Sequence, residues 1–275
     1  MNIEITKNLT KKQQIIADYI TKQADSIPFM TEKDISTAIG VSIATVSRFW
    51  EAIGYESFKA YKMQLKKDSI ITPASKMKTA LEKYEQTRVG HMLKAGVYYL
   101  EETSKHMDNH SFYEAIERIV ASDTIHLYGS GSAECLTTLL QFRLKRFGMS
   151  VQTMAKSGHE LFEDLVHCQE TDIIIIFGFV QSSPEIRTLF DYARKKGCQT
   201  VLITDLLVSP MIEEATYTFF TERGDMREFH SMVAAIAFVE SMIIAIGKQM
   251  GEVALTKLHE LQTLRKVYAG ELPKN

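Results

Sequence analysis

The sequence predicts two domains of different class: an all-α N-terminal domain over residues 1–78, then an α/β domain built on a parallel sheet over residues 79–275. Up to about residue 67 the apolar residues recur at spacings of three and four, and no segment alternates as a strand does. Beyond residue 120, short apolar runs alternate with helix-like segments, the pattern of parallel strands covered on both faces. A length of 275 residues suits two modest domains of roughly 100 to 200 residues each. With 45% hydrophobic and 24% charged residues, collagen-like and broadly disordered classes are excluded.

In chain order, the N-terminal apolar sets are Ile15, Ile16, Tyr19 and Ile20, then Ile35, Ala38 and Ile39, then Val46, Phe49, Trp50 and Ile53. Thr31 ahead of Glu32, Lys33 and Asp34 reads as a capping signal for a helix over 32–39. Gly40 suits the left-handed residue that ends it, in the manner of a helix-turn-helix. Ser42 then offers the N-cap of a second helix over about 43–53. In the segment DSIITPA, Pro73 disfavours helix at Thr72, which places a boundary nearby, and a helical stretch over 75–105 follows. Strands are expected at 124–128, 151–154, 172–177, 200–204 and 217–220, with helices over 134–147, 184–197, 232–250 and 253–268.

The formal charge of −2 gives no sign of a nucleic-acid partner until it is divided. Residues 1–75 hold ten basic against eight acidic side chains, a net of +2, which leaves −4 for the remainder. Lys59, Lys62, Lys66 and Lys67 gather at the basic edge. On the second predicted helix, Val46, Phe49, Trp50 and Ile53 share one face, and Ala44, Thr45, Ser47 and Arg48 occupy the other. Small polar residues near a helix start, with an arginine beyond, suit approach to base edges in a major groove, although any amphipathic helix pair shows the same periodicity.

The run Ala38-Ile39-Gly40-Val41-Ser42, Thr45-Val46-Ser47-Arg48-Phe49, Ile53-Gly54-Tyr55, Phe58 and Tyr61-Lys62 resembles the N-terminal helix-turn-helix of the RpiR-type bacterial transcriptional regulators, over about residues 1–78. The resemblance assigns Ser42, Thr45, Ser47 and Arg48 to the DNA groove, with Ala44 on the same face, and Lys59 and Lys62 to the phosphate backbone. It implies a regulator of sugar or amino-sugar genes, with repression the commoner sign.

Further on, Tyr128-Gly129-Ser130-Gly131-Ser132-Ala133 joins a strand to a helix. Glycines that permit a tight turn, free N–H groups at a helix start and two hydroxyls favour an anion, above all a phosphate. A dinucleotide site fits less well, because no third glycine follows at Glu134 and the next strand leads to Ala155 and Lys156 rather than to an acid. No G-K-[ST] follows either, so the loop is not a P-loop.

With the later DIIIIF strand, the serine-bearing loop and the VLIT strand leading to Ser209-Pro210, this element is similar to the sugar isomerase (SIS) domain, over roughly residues 80–260. The likeness implies a flavodoxin-like three-layer sandwich of about five parallel strands that binds a phosphosugar near the strand C-termini. Where such domains carry S-x-S-G-x-T-x-E, this chain reads Gly178-Phe179-Val180-Gln181-Ser182-Ser183-Pro184-Glu185. Two serines are thus replaced by Gly178 and Val180. The expected ligand residues become Ser130, Gly131, Ser132, Ser182 and Ser183, with His159 and Glu185 beside them. Losing two hydroxyls, at roughly 0.5 to 1.5 kcal/mol each, weakens such a ligand by one to two orders of magnitude, or leaves the domain only to dimerise.

An isomerase is the enzymatic alternative. It needs a general base, for which His159 and Glu160 on the loop after the second strand, and Glu185, are the candidates. The Ser42 to Arg48 helix, which an isomerase does not need, favours the non-enzymatic reading with no cofactor. His230 reads as a helix-start residue, and His106 with His110 lacks the glutamate of a zinc protease. Cys135, Cys168 and Cys198 read as unpaired thiols of a reducing compartment, with no metal site. The start MNIEITKNLTKKQQ lacks a signal-peptide pattern, and apolar runs such as 173–177 fall short of the roughly 18 to 20 residues that span a bilayer. A cytoplasmic homodimer or tetramer is therefore expected, with operator DNA and a phosphosugar as partners and no membrane.

Overall fold

The structure, a computed structural model, describes residues 9–22, 27, 30–68, 72–84, 89–225 and 228–271. The chain divides into two compact units, Met1–Lys76 and Met77–Asn275.

The first unit is helical: α1 (Lys11–Lys22), α2 (Glu32–Ile39), α3 (Ile43–Ala52) and α4 (Phe58–Asp68). Its core gathers Ile16, Ile20, Ile27, Ile35, Val46 and Phe49 around Trp50. The Trp50 ring stacks on Phe58 at 4.7 Å and on Tyr61 at 4.8 Å. A buried indole N–H needs an acceptor, and Trp50 Nε1 donates to Glu32 Oε1 at 2.9 Å, tying α3 to the first turn of α2. Ile15 and Ala38, grouped by their spacing with core residues, are exposed. A helix of 3.6 residues per turn cannot hold both members of the Ile15–Ile16 pair at the centre of one face, and packing selects Ile16.

Helix α5 (Pro73–Tyr84) begins at Pro73, whose missing N–H costs nothing at a first helical position. The helical stretch expected over 75–105 is described as two helices, α5 and α6 (Val89–Lys105), on either side of residues 85–88, which lie outside the described residues. Then follow α7 (Asn109–Ala121), β1 (Ile125–Gly129), α8 (Glu134–Lys145), β2 (Val151–Thr153), α9 (Glu160–Leu165), β3 (Ile173–Phe177) and α10 (Pro184–Lys196). The chain continues with β4 (Gln199–Thr204), α11 (Pro210–Glu214), β5 (Tyr217–Phe220), α12 (Val233–Met250) and α13 (Glu252–Val267). The short helices α9 and α11 were not legible in the apolar periodicity, and Glu160, expected on a loop, opens α9.

All strand pairs are parallel, in the order β2-β1-β3-β4-β5. Alternate residues serve opposite faces. Ile125, Leu127, Ile173, Ile175, Val201 and Ile203 pack with α7, α8 and α12. Tyr128, Ile174, Ile176 and Leu202 pack with α9, α10 and α11. Because both faces are covered, β1 and β3 are buried at every position, which is why they read as unbroken apolar runs. The result is a three-layer sandwich.

One expectation needs correction. Helix α12 has 18 residues and is apolar enough, by length and composition, to cross a bilayer, so the apolar runs do reach spanning length. It is a core helix nonetheless: Ala235, Phe238, Val239, Met242 and Ile246 pack against the sheet.

Trp50 is the single tryptophan, so its fluorescence reports the first unit alone. Phe49→Ala is expected to destabilise that unit by about 3–5 kcal/mol. In urea titrations its fluorescence midpoint should fall, while the circular-dichroism transition of the sheet unit keeps its midpoint.

Candidate functional site

Two surfaces carry the residues singled out by sequence, one in each unit. In the first unit, α2 opens with a reciprocal cap: Thr31 Oγ1 accepts from the Asp34 N–H, and Asp34 Oδ2 accepts from the Thr31 N–H at 2.8 Å. The Thr31 backbone N–H, with help from its hydroxyl, holds the Asp34 carboxyl below the ordinary aspartate range. Gly40 ends α2 in the left-handed region at φ 67°, a conformation nearly free of steric cost only for glycine. Ser42 caps α3 by accepting from the Thr45 N–H at 3.2 Å, and its hydroxyl also meets that of Thr45 at 2.8 Å. The two helices are thus joined by a turn fixed at both ends.

Val46, Phe49 and Trp50 face inward. Ser42, Ala44, Ser47 and Arg48 are exposed, and Thr45 is half-buried. The Arg48 Nε donates to the Ala44 carbonyl at 3.2 Å, so the guanidinium lies along its own helix. Ile43, which no reading of the spacing assigned to this surface, is 47% exposed in the first turn, where an apolar side chain suits a thymine methyl. Lys59 is exposed. Lys62 is not free: its ammonium donates to the Met30 carbonyl at 3.0 Å and stands 4.8 Å over the Phe58 ring. The side chains of Lys66 and Lys67 lie outside the described residues.

In the second unit the strand order reverses between β1 and β3: the chain leaves β1 towards β2 on one side, and β3 towards β4 on the other. Such a switch point opens a crevice at the strand C-termini, where ligands of doubly wound sheets bind. After β1, Ser130, Gly131 and Ser132 are exposed, with Gly131 at φ 60°, and a turn of 3-10 helix leads into α8. After β3, Ser183 caps α10 by accepting from the Ile186 N–H at 3.2 Å. Tyr128 joins the two loops. Its hydroxyl donates to the Lys156 carbonyl at 3.1 Å, and the side chains of Ser183 and Ser130 lie near enough to favour its ionised form. Burial pushes the phenol above its ordinary range, although those serines pull the other way.

Ser130 and Ser183 are therefore brought together about Tyr128, with Glu185 close by. The Glu185 carboxyl is held below the glutamate range by its own backbone N–H and then by the Ser183 hydroxyl. Ser182 is half-buried, and its carbonyl takes the Arg187 guanidinium at 2.7 Å. His159 stands exposed at the start of α9 with its ring against Phe162, and no hydrogen bond among the described residues joins it to the serines.

The loop at 178–183 differs from the serine-rich form for a packing reason. A Cβ on buried Gly178 would lie 3.0 Å from Leu202 Cδ1 and 3.2 Å from Ile186 Cδ1, so a serine would have to push both aside. Val180 has φ 70°, a left-handed conformation strongly disfavoured for a β-branched residue. It is held there by Asp205, whose Oδ1 accepts the Val180 N–H at 2.7 Å. Asp205 Oδ2 in turn accepts from the Arg223 guanidinium at 3.2 Å. The same guanidinium stacks 4.1 Å over the Phe179 ring, and its Nε donates to the Ser231 carbonyl. The pair is buried, at 3% exposure for Arg223 and 10% for Asp205; burial lowers the Arg223 pKa and Asp205 opposes the shift. Neither residue was anticipated. Their one signal is position, since each follows closely on a strand, β4 or β5, and only the fold places them face to face.

At the opposite end of the sheet Asp172 accepts from His126 Nε2 at 3.0 Å and from the backbone N–H groups of Thr124 and Gln169, closing the bottom edge. Cys168 lies buried nearby with its thiol pushed up to about 12, and burial raises Cys198 as well, so both stay protonated. Cys135 is exposed. Among the described residues no group of three or more His, Cys, Asp or Glu side chains is placed to hold a metal ion.

Fold and site together define a two-domain protein, a helix-turn-helix unit followed by a three-layer α/β unit with serine-bearing loops at its switch point. Residues 4–70 match the helix-turn-helix domain of the rpiR family, and residues 118–246 match the SIS domain. The chain therefore carries an rpiR-family helix-turn-helix domain followed by an SIS domain. An uncharacterised HTH-type transcriptional regulator of Haemophilus influenzae is 26% identical, covering 96% of this chain and 85% of its own. Among solved structures, the Vibrio vulnificus NanR protein complexed with ManNAc-6P shares the fold with a TM-score of 0.62 at 21% identity, covering 94% of this chain and 93% of its own. The sugar isomerase domain of an RpiR transcription factor from Sphaerobacter thermophilus gives a TM-score of 0.58 at 22% identity, covering 62% of this chain and 96% of its own.

Removing one partner of a buried ion pair strands the other charge. Asp205→Ala is therefore expected to destabilise the sheet unit by about 3–5 kcal/mol, read as a lower urea midpoint by circular dichroism.

Proposed function

We propose that this chain is a DNA-binding transcriptional regulator in which residues 1–78 read an operator and residues 79–275 sense a phosphorylated sugar or amino sugar. The observation that carries the first half is the exposed face of α3, where Ser42, Ala44, Ser47 and Arg48 stand on a helix capped at its start and anchored through Trp50. A helix held this way presents its first turns to a major groove without further ordering cost. Arg48 would turn from its own helix to a guanine or a phosphate, and Lys59 would meet the backbone. Lys62 contributes by holding Met30 against α4 rather than by gripping phosphate, which suits its bond to the Met30 carbonyl.

For the second half, the support is a crevice at the switch point with serine hydroxyls and the N-terminal ends of α8 and α10 around it. The V. vulnificus structure of the same fold holds ManNAc-6P, a ligand of the proposed class. The role needs no general base, and none is assigned to His159, Glu160 or Glu185. Acting on DNA, the protein works in the cytoplasm. Ligand binding alters DNA affinity through its different affinities for two arrangements of the reader domains.

A homodimer would present two α3 helices to half-sites about 34–36 Å apart or a multiple of that. The support is an apolar surface on α5, α6 and the approach to α12, with Leu81, Leu93, Val97, Phe229 and Val233 all exposed around a groove of about 820 Å³.

In a mobility-shift assay on DNA from upstream of its own gene, the parent is expected to retard a fragment that Arg48→Ala retards at least about tenfold more weakly. A parent that retards none of the fragments would sink the regulator reading. Sedimentation should find the parent dimeric and Leu93→Lys shifted to monomer; an unchanged Leu93→Lys dimer would move the interface elsewhere.

A further inference from the structure

We propose that Lys156 is the cation that grips the ligand's phosphate, and that Glu134 is the internal counter-ion from which the phosphate takes it. The proposal rests on the phosphosugar reading of the crevice and names the charge that selects the ligand.

Lys156 follows β2, the strand on the side of β1 away from β3. Its carbonyl accepts the Tyr128 hydroxyl, the same hydroxyl that Ser130 and Ser183 approach, so the residue is fixed at the rim of the crevice. Its ammonium is ion-paired with Glu134, which lies in the first turn of α8 two positions beyond Ser132. The cation thus lies beside the loop that offers the anion its N–H groups and hydroxyls.

The chemistry asks for a charge on this side. On the β3 side, Gly178 and Val180 offer no hydroxyl, and the Ser183 hydroxyl is engaged as a helix cap. Two cations touch that loop: Arg223 is buried and committed to Asp205, and Arg187 is engaged with the Ser182 carbonyl at 2.7 Å. Lys156, at 55% side-chain exposure, reaches solvent and has only an exposed carboxylate as partner. Ion pairs of that kind contribute little, so parting them costs little. A phosphate, bearing nearly two charges and three acceptor oxygens, is the stronger partner for an ammonium. Glu134 has the opposite effect: its charge at the start of α8 repels an incoming anion, and Lys156 masks it until the ligand arrives. The pair therefore admits phosphorylated ligands over neutral sugars and sets the affinity.

The test is isothermal titration of the full chain with N-acetylmannosamine 6-phosphate, glucose 6-phosphate, fructose 6-phosphate, the three unphosphorylated sugars and inorganic phosphate. For the tightest phosphorylated probe, Lys156→Met is expected to weaken binding about tenfold or more, Lys156→Arg to retain most of it, and Glu134→Gln to tighten it severalfold. Unphosphorylated sugars should bind no better to the parent than to Lys156→Met. If Lys156→Met stays within about twofold of the parent while Ser130→Ala loses tenfold, Lys156 is a surface residue and the crevice reading stands without it. If the parent binds none of the probes, or if Ser130→Ala and Lys156→Met both bind as the parent does, the phosphosugar reading falls and the Lys156 assignment falls with it.

Discussion

Every feature of the second unit depends on one constraint: all strand pairs of the sheet are parallel and the sheet is covered on both faces. Parallel strands need crossovers, the crossovers are the helices, and the helices bury the sheet. The same arrangement places every strand's C-terminal end on one edge, and the order 2-1-3-4-5 parts the outgoing loops between β1 and β3. The crevice is thus a consequence of connectivity. What the individual residues decide is its lining, and here the lining is unusual.

The loop after β3 shows how that lining is set. Without hydroxyls at 178 and 180, the loop takes its shape from two buried side chains carried by other strands, Asp205 after β4 and Arg223 after β5. A left-handed valine costs of order 1–3 kcal/mol and persists only where its surroundings dictate it. The Asp205 carboxylate on the Val180 N–H, with the Arg223 guanidinium over Phe179, supplies that dictation. An internal clamp shapes the loop after β3, and beside the loop after β1 the Lys156 ammonium, on the β2 side, is paired with Glu134.

The first unit solves a smaller problem by related means. Among the described residues the core has about ten buried side chains, few to fix two short helices by burial alone, and polar anchors add direction. Thr31 and Asp34 start α2, Gly40 stops it, Ser42 starts α3, and the Trp50 indole closes the pair on Glu32. The exposed face of α3 is rigid for that reason.

Local physics made much of this legible in the sequence. Caps act over three or four residues, so Thr31, Gly40 and Ser42 could be read where they stand, as could the helix that each one bounds, whereas Ser183, read as a ligand residue, is a cap in the structure. Strand runs buried on both faces announce themselves by composition, so all five strands were legible to within a residue or two. Tertiary structure alone decided what depends on meeting across the fold. It selected Ile16 over Ile15 for the core, turned Lys62 inward to Met30, and left Ile43 on the surface. It also gathered Ser130, Ser183 and Lys156 about Tyr128, and paired Asp205 with Arg223. Apart from Ser130 beside Tyr128, these contacts join residues from 18 to more than 50 positions apart, and such a contact leaves no periodicity in one sequence, because its partners are neighbours only after the unit has folded.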